Sequence, residues 1–399
     1  MFVYMDHTAT TPVSPEVLKA MMPYFGENFG NPSSVYSFSR KTRAAIEKAR
    51  TQVAAALNAE PSEIFFTGSG TEADNWALKG TLENAMKKGK NHLITTSIEH
   101  HAILHTAEYL KKFHGVDVTY LPVDSEGFVS VEDVKNAITD KTALVSVMFA
   151  NNEVGTIEPV AEIGALCRER KIPFHTDAVQ AAAHLDIDVK AMNIDMLSMS
   201  AHKMYGPKGV GALYLKKGLR PENFIHGGAQ EKGRRASTEN IAGIVGFGEA
   251  MEILKSRLNE DKKINSARRD KLIAGLLEKI PHAKLNGPDC KKNGDKRLPN
   301  NINFSFIGVE GETLLLDLDA KGISASTGSA CSSESLDPSH VLLALGLKHE
   351  MAHGSLRFTI GRLTTDEQID YVLETLPEIV ARRREMSPLW EDYLKTVRN

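Results

Sequence analysis

The chain reads as an α/β protein: a large domain with a mostly parallel, seven-stranded sheet flanked by helices, plus a smaller α+β domain. Three observations predict this. Up to about residue 215, short apolar runs alternate with amphipathic helical patterns, the rhythm of repeated strand–helix units. The residues able to do chemistry cluster just after those apolar runs, where open α/β sheets bind ligands. Beyond about residue 263 the order of patterns changes to an α+β mixture.

Strands are expected at 63–67, 92–96, 116–122, 143–149, 173–175, 196–199 and 210–215, each a compact apolar run bounded by turn residues. Helical periodicity fills the gaps at 41–57, 71–88, 102–113, 131–137 and 161–170. A long helix is expected over 240–262, linking the two domains. The large domain then spans 16–262, and the small one takes 1–15 with 263–399. The latter should hold a helix, a strand at 301–306, a helix at 311–320, a serine-rich loop carrying Cys331, a strand at 355–360 and a terminal helix.

Composition narrows the function. The 399 residues exceed one small core. Hydrophobic residues are 42% and charged residues 25%, ordinary for a soluble protein. A net charge of -3 gives no electrostatic footing for nucleic acid or an anionic membrane. No apolar run approaches a membrane span, and Met1-Phe2-Val3-Tyr4-Met5-Asp6 lacks the pattern of a signal peptide. Three widely spaced cysteines suit neither a disulfide framework nor a zinc site, so a cytoplasmic setting is expected. Cys167, beside Ile163 and Leu166 on a helical face, reads as core, and Cys290 as a plain loop residue.

Lys203 carries the sharpest signal. It lies in Met199-Ser200-Ala201-His202-Lys203, after an apolar run and before Tyr205-Gly206-Pro207-Lys208-Gly209. Asp177 ends another apolar run, in Phe174-His175-Thr176-Asp177-Ala178. An amine that can form a Schiff base and a carboxylate that can hold a pyridine nitrogen protonated are the two groups pyridoxal phosphate needs. Alone, Lys203 also fits a surface lysine near a turn.

Thr67-Gly68-Ser69-Gly70-Thr71-Glu72-Ala73 joins a strand to a helix, and its small residues let backbone N–H groups reach a phosphate. It equally fits a plain capped turn or a dinucleotide fingerprint, although Glu99 comes later than the usual offset of ~20 residues. His100, expected at the end of a strand, can stack on a flat ring and move protons, or simply start a helix. Asn151-Asn152-Glu153 offers amide donors or ordinary turn chemistry. The polar loop 227–240 either reaches a neighbouring subunit's phosphate or is simply exposed. Cys331, in Gly328-Ser329-Ala330-Cys331-Ser332-Ser333, has no apolar face to bury, which predicts an exposed, mobile thiol and a candidate nucleophile. Arg357 interrupts an apolar strand-like run, as a carboxylate clamp or a structural ion pair.

Together these segments resemble the cysteine desulfurases of the NifS/IscS type, within the class V pyridoxal-phosphate enzymes. The likeness runs from Tyr4-Met5-Asp6-His7-Thr8-Ala9-Thr10-Thr11-Pro12 to Ser387-Pro388-Leu389-Trp390. It includes Phe29-Gly30-Asn31-Pro32-Ser33-Ser34, Glu99-His100, Asn151-Asn152-Glu153, Asp177-Ala178-Val179-Gln180, His202-Lys203 and Gly328-Ser329-Ala330-Cys331. The resemblance implies the aspartate-aminotransferase-like fold, fold type I, with pyridoxal 5'-phosphate as cofactor. Lys203 would hold it covalently, Asp177 would face its ring nitrogen, Gln180 its phenolic oxygen, and His100 would stack on it and shuttle protons. Gly70, Thr71, Ser200 and His202 would bind its phosphate, with Thr238 reaching in from a partner subunit. Asn31, Asn152 and Arg357 would hold the substrate.

Cys331 would take sulfur from L-cysteine as a persulfide, leaving L-alanine. A homodimer is implied, with an iron-sulfur scaffold protein of the IscU/NifU type as acceptor. No resident metal is implied, though Cys331 would contact an iron-sulfur cluster during transfer. His7-Thr8 stands where the family often has two asparagines, and Gly68-Ser69, Ala229 and Ala236-Ser237 also depart from its pattern. Four other readings stay open: a class V aminotransferase, a selenocysteine lyase, a nicotinamide dehydrogenase resting on Gly68 and Gly70, and a non-catalytic subunit of a sulfur-transfer assembly.

Overall fold

The computed structural model describes residues 1–327 and 338–398. In chain order its first half comprises β1 (Val3–Tyr4), α1 (Pro15–Met21), α2 (Arg40–Ala56), β2 (Ile64–Thr67), α3 (Gly70–Met86), β3 (His92–Thr96), α4 (His101–His114), β4 (Asp117–Leu121), α5 (Val131–Ala137), β5 (Thr142–Ser146), α6 (Val160–Arg170), β6 (Phe174–Asp177), β7 (Met196–Ser200) and β8 (Gly211–Leu215). There follow α7 (Gln230–Gly233), α8 (Ile241–Lys279), β9 (Ala283–Leu285), α9 (Cys290–Asn293), β10 (Asn301–Phe306), α10 (Gly311–Asp319), β11 (Ile323–Ser324), α11 (His340–Ala344), α12 (His349–His353), β12 (Ser355–Thr359), α13 (Asp366–Glu385) and α14 (Pro388–Arg398).

The seven strands expected in the large domain form one sheet in the order β2-β8-β7-β6-β5-β3-β4. Neighbours from β7 to β4 are parallel, while β8 runs antiparallel to both β7 and β2. Successive side chains point to opposite faces. Phe66, Val145 and Leu197 therefore join one core with Ile46 and Val53 of α2 and Phe247 of α8, while Phe65, Leu144 and Met196 join another with Trp76 of α3 and Ile103 of α4. Helices thus cover both faces, which is why these strands read as continuous apolar runs.

The long helix differs from expectation. It runs over 39 residues, from Ile241 to Lys279, well past 262. Its first turns bury Ile244, Phe247, Met251 and Leu254 against the large sheet, and its last bury Leu272 and Leu276 in a separate core with β10, β12 and α13. Asn265 and Arg269 are buried between the two stretches. Arg269 donates to the carbonyls of Arg297 and Leu298. Polar side chains on the buried stripe made one helix look like two. The second core carries the sheet β12-β10-β9, beside the parallel pair β1–β11. Cys290, expected in a loop, opens the one-turn α9 under an Asp289 cap.

One buried ion pair ties the loop 227–240 to the sheet. Arg50 of α2 reaches both carboxylate oxygens of Glu231 at 2.7 and 2.8 Å, and Glu231 also accepts from the backbone N–H of Phe66. Both side chains are nearly excluded from water. Removing one partner of a buried pair leaves an uncompensated charge. Arg50→Ala should therefore destabilise the protein by about 3–5 kcal/mol, read as a lower denaturation midpoint in urea.

Candidate active site

Asp177, Ser200 and Lys203 collect at the carboxyl ends of strands in the large sheet. Asp177 is the last residue of β6 and Ser200 the last of β7. Lys203 follows in a single 3-10 turn, Ala201–Lys203. Its Nζ donates to the carbonyls of Thr8 at 2.5 Å and Ala9 at 2.8 Å. Gln180 Nε2 donates to the same Thr8 oxygen at 3.2 Å. The N-terminal segment is fastened across the site by Thr11 N–H to the His202 carbonyl (2.9 Å) and Tyr205 N–H to Thr11 Oγ1 (2.8 Å). On the other side, His7 Nδ1 meets the Thr359 carbonyl at 2.9 Å. At position 8 it is the backbone that meets Lys203, so the departure His7-Thr8 leaves this contact in place.

Charge is balanced locally. Burial pushes the Asp177 carboxyl up, to about 6, while the Val179 N–H at 2.9 Å and the Lys203 ammonium pull it down. His100 is pushed down to about 4 by burial, then by Lys203, His101 and His105. Its ring is therefore neutral at pH 7. The Ala102 N–H donates to its Nδ1 at 3.1 Å, so the ring proton sits on Nε2. His202 is likewise pushed to about 4 by burial, Lys203 and Lys208. His100 does not end a strand as expected. β3 stops at Thr96, and His100 is the N-cap of α4.

The glycine-rich turn caps α3. Ser69 is its N-cap, accepting from Glu72 N–H at 3.1 Å, and Gly70 and Thr71 open the helix. Gly70 is seated so closely that a Cβ there would lie 2.6 Å from Val179 Cγ2 and 3.4 Å from Ser200 Cβ. This brings the helix N-terminus, Ser200 and the Asp177–Gln180 segment together, a setting that favours an anion. Thr238 lines a cavity of about 140 Å³ with Gly68, Arg235, Ser237 and Asn240. Glu99, the acid required by the dinucleotide reading, is fully buried and accepts from Thr96 Oγ1 and Met148 N–H, a structural task.

Arg357 lies in β12, almost wholly buried. It reaches Asp6 at 3.0 Å and the Asn152 carbonyl at 3.4 Å, and its Nε is buried without a hydrogen-bond partner. A carboxylate would satisfy that donor. Asn151 shapes the adjoining turn through Ile98 O and the N–H groups of Glu153 and Val154. Asn31 stands apart. It is exposed between α1 and α2, where its Oδ1 accepts from Ser33 N–H.

Cys331 lies outside the described residues. The residues on either side of that segment are held at this site. Ser326 exchanges backbone hydrogen bonds with Arg357 (3.1 and 2.6 Å), and Ser339 Oγ donates to Glu153. Cys167 is buried as expected, its thiol pushed up to about 12 by burial. Among the described residues no helix is long and apolar enough to cross a membrane.

The arrangement fits pyridoxal phosphate: a cradle at Gly70 that admits no larger residue, an amine at Lys203, a buried carboxylate at Asp177 and an unsatisfied donor at Arg357. Sequence reasoning missed the Thr8 carbonyl and the buried polar groups Asp74, Glu153 and His175. A backbone oxygen leaves no signature in side-chain pattern. Asp74 and His175 sit within runs whose other members are core residues, and Glu153 closes a polar run that reads as turn chemistry.

The class-V aminotransferase family model matches residues 3–372. A cysteine desulfurase IscS of Clostridium botulinum strain Hall is 67% identical over 393 residues, covering 98% of each chain. A solved structure named as a NifS-like protein superposes with a TM-score of 0.89 at 39% identity, covering 96% of this chain and 100% of that one. Another, titled as SspA in complex with cysteine, gives 0.80 at 37% identity, covering 91% and 100%.

In an NMR titration, His100 should lose its proton near pH 4. Removing the ammonium in Lys203→Ala favours the imidazolium, so the midpoint should rise while burial keeps it below about 6.5. An unchanged midpoint would place Lys203 away from the ring.

Proposed function

The chain belongs to the class-V aminotransferase family, and from that premise we propose how it acts as a cysteine desulfurase. L-cysteine is the substrate, its sulfur passes to Cys331 as a persulfide, and L-alanine is released. The family depends on pyridoxal phosphate. Bound here, that cofactor supplies an electron-poor ring that takes up the charge left at a substrate carbon.

The residues divide the work. Lys203 Nζ would hold the cofactor, and its amine would move the proton at the substrate α-carbon. Asp177 would keep the cofactor's ring nitrogen protonated, and Gln180 would hold its phenolic oxygen. His100, neutral with its proton on Nε2, would face the cofactor's ring and give or receive a proton there. Gly70, Thr71, Ser200 and His202 would hold its phosphate, with Thr238 supplied from a second copy. Arg357 and Asn152 would orient the substrate carboxylate, with Asn31 as a further substrate-binding residue. The Cys331 thiolate forms an S–S bond to the substrate sulfur. The Cβ–S electron pair stays with carbon, which takes a proton to become the methyl group of alanine. The persulfide is a reversible thiol state, so the sulfur can be passed on.

One convergence supports this reading. The Lys203 amine, the Asp177 carboxylate and neutral His100 meet at one end of the sheet. Both sides of the Cys331 segment are fastened beside them, at Arg357 and Glu153. Residues 16–262 then act as the cofactor domain, and 1–15 with 263–399 as the domain bearing Cys331. We place the enzyme in the cytoplasm, with an iron-sulfur scaffold protein of the IscU/NifU type as sulfur acceptor and Cys331 contacting the cluster during transfer.

A homodimer is supported by the apolar surface of one segment. Phe25, Phe29 and Val35 are 64%, 70% and 94% exposed, with Met22 and Tyr36 also exposed nearby in sequence. That much exposed apolar side chain in one segment is what a subunit interface would cover.

Cys331→Ala should keep the yellow colour of bound cofactor and lose sulfide release from L-cysteine. Undiminished sulfide release would remove the persulfide step. Sedimentation of the native chain should give a dimer, and Phe29→Asp combined with Val35→Asp a monomer. A native monomer would separate Thr238 from any phosphate role in a second copy.

A further inference from the structure

Behind Asp177 lies a second polar system that the reaction scheme does not use. His175 sits two residues earlier on β6 and is fully buried. Its Nδ1 is 2.8 Å from Ser146 Oγ on β5, and its Nε2 is 3.0 Å from Ser198 Oγ on β7. Ser198 is the cross-strand partner of Asp177 in the parallel ladder. A row of hydrogen bonds therefore crosses three strands directly behind the carboxylate. Burial alone pushes the His175 ring down to about 3, so the ring is neutral, with one N–H and one lone pair for the two hydroxyls.

Asp74 closes this row from the helix side. It lies on α3, four residues after Gly70, and is 1% exposed. Its Oδ1 is 3.6 Å from His175 Nε2 and has no hydrogen-bond partner. With a neutral ring at that distance, the contact is no ion pair. The charges that act on Asp74 are the carboxyls of Asp177 and Glu99, and burial is the larger effect, with all three raising it; only a Ser198 hydroxyl contact opposes them. An ionised Asp74 would be a buried anion facing other acids with no cation of its own.

We propose that Asp74 is a positioning residue of the reaction centre: a buried carboxylic acid kept in its neutral form, which backs the Ser198–His175–Ser146 row and leaves Asp177 as the carboxylate that ionises. The role follows from the coupling of like charges. Two carboxyls sharing one low-dielectric site do not both ionise at neutral pH. Asp177 needs its charge to hold a ring nitrogen protonated, and it has the Val179 N–H and Lys203 to stabilise that charge. Asp74 has neither. Its function for the cofactor rests on the reading given above, but its protonation state belongs to the protein itself.

The test uses protein labelled with ¹³C at the aspartate carboxyl carbon, first without cofactor and then loaded. At pH 7.5 one aspartate carboxyl should remain at the chemical shift of a protonated acid, and this signal should vanish in Asp74→Asn. A spectrum without a protonated aspartate, or one whose signal survives in Asp74→Asn, overturns the proposal. In the loaded protein, the pH midpoint of the cofactor's visible absorption should be the same in Asp74→Asn as in the native chain, because a neutral group replaces a neutral group. A displacement by about one pH unit or more in Asp74→Asn would show that the native residue was charged, and overturns it. Ser198→Ala, which cuts the row, should displace that midpoint; no displacement would reduce the row to scaffolding and overturn the positioning role. Failure of the native protein to acquire a visible band would defeat the cofactor assignment, while the carboxyl signal would still decide the state of Asp74.

Discussion

A buried carboxylate next to one ammonium is the constraint that the rest of this site obeys. Asp177 sits at the end of a strand covered on both faces, where a bare charge is costly. It is made tolerable by one backbone N–H and by Lys203. The same ammonium helps hold His100 and His202 neutral, since each feels it as a like charge. Glu99 follows the opposite logic. Burial pushes it up to about 8, the charge of Asp177 adds to the shift, and hydrogen bonds from Met148 and Thr96 only partly oppose it. Around Asp177, Lys203 stabilises the carboxylate while burial drives His100, His202 and Glu99 toward their neutral forms, and Arg357 forms a separate ion pair with Asp6.

That balance depends on residues far apart in sequence. The ammonium is aimed by two carbonyls of the N-terminal segment, at Thr8 and Ala9. The segment is pinned by Thr11 to the turn carrying Lys203 and by His7 to β12. Gly361 shows how tight the second contact is, since a Cβ there would come within 2.3 Å of the His7 ring. The small-domain strand β12 also carries Arg357. The first residues of the chain therefore lie between the lysine of one core and the arginine of the other. The single helix α8, buried in both cores, fixes their separation.

The fold was legible because its signal is redundant. Seven apolar runs flanked by helices can bury themselves in few other ways, and each expected strand appears within a few residues of its place. Lys203 and Asp177 were legible for the same reason, as polar residues at the ends of apolar runs. His100 was misplaced because the turn after Thr96 is made by side chains, with Thr96 bonded to Glu99 and the His100 ring serving as a cap. Periodicity does not register such turns. The extent of α8 was lost to Asn265 and Arg269, polar residues whose partners lie in other segments. Asp74 and His175 were hidden more deeply, because neighbours such as Ala73, Trp76 and Phe174 are ordinary core.

Both flanks of the Cys331 segment are fastened to the surroundings of Arg357. On one side, Ser326 is paired through its backbone with Arg357, the residue with an unsatisfied buried donor. On the other, Ser339 caps α11 and donates to Glu153, next to Asn152. Burial raises Glu153 to about 7, with the Ser339 hydroxyl and then the Arg357 charge pulling it back. Separating Ser339 from Glu153 would strand a buried carboxyl, which is costly enough to keep that end of the segment in place. A substrate carboxylate at Arg357 would compete with Asp6 and Glu153 for the same positive charge. The Arg357 guanidinium thus bears on both flanks: its backbone holds Ser326, and its charge favours the ionised form of Glu153, the partner of Ser339.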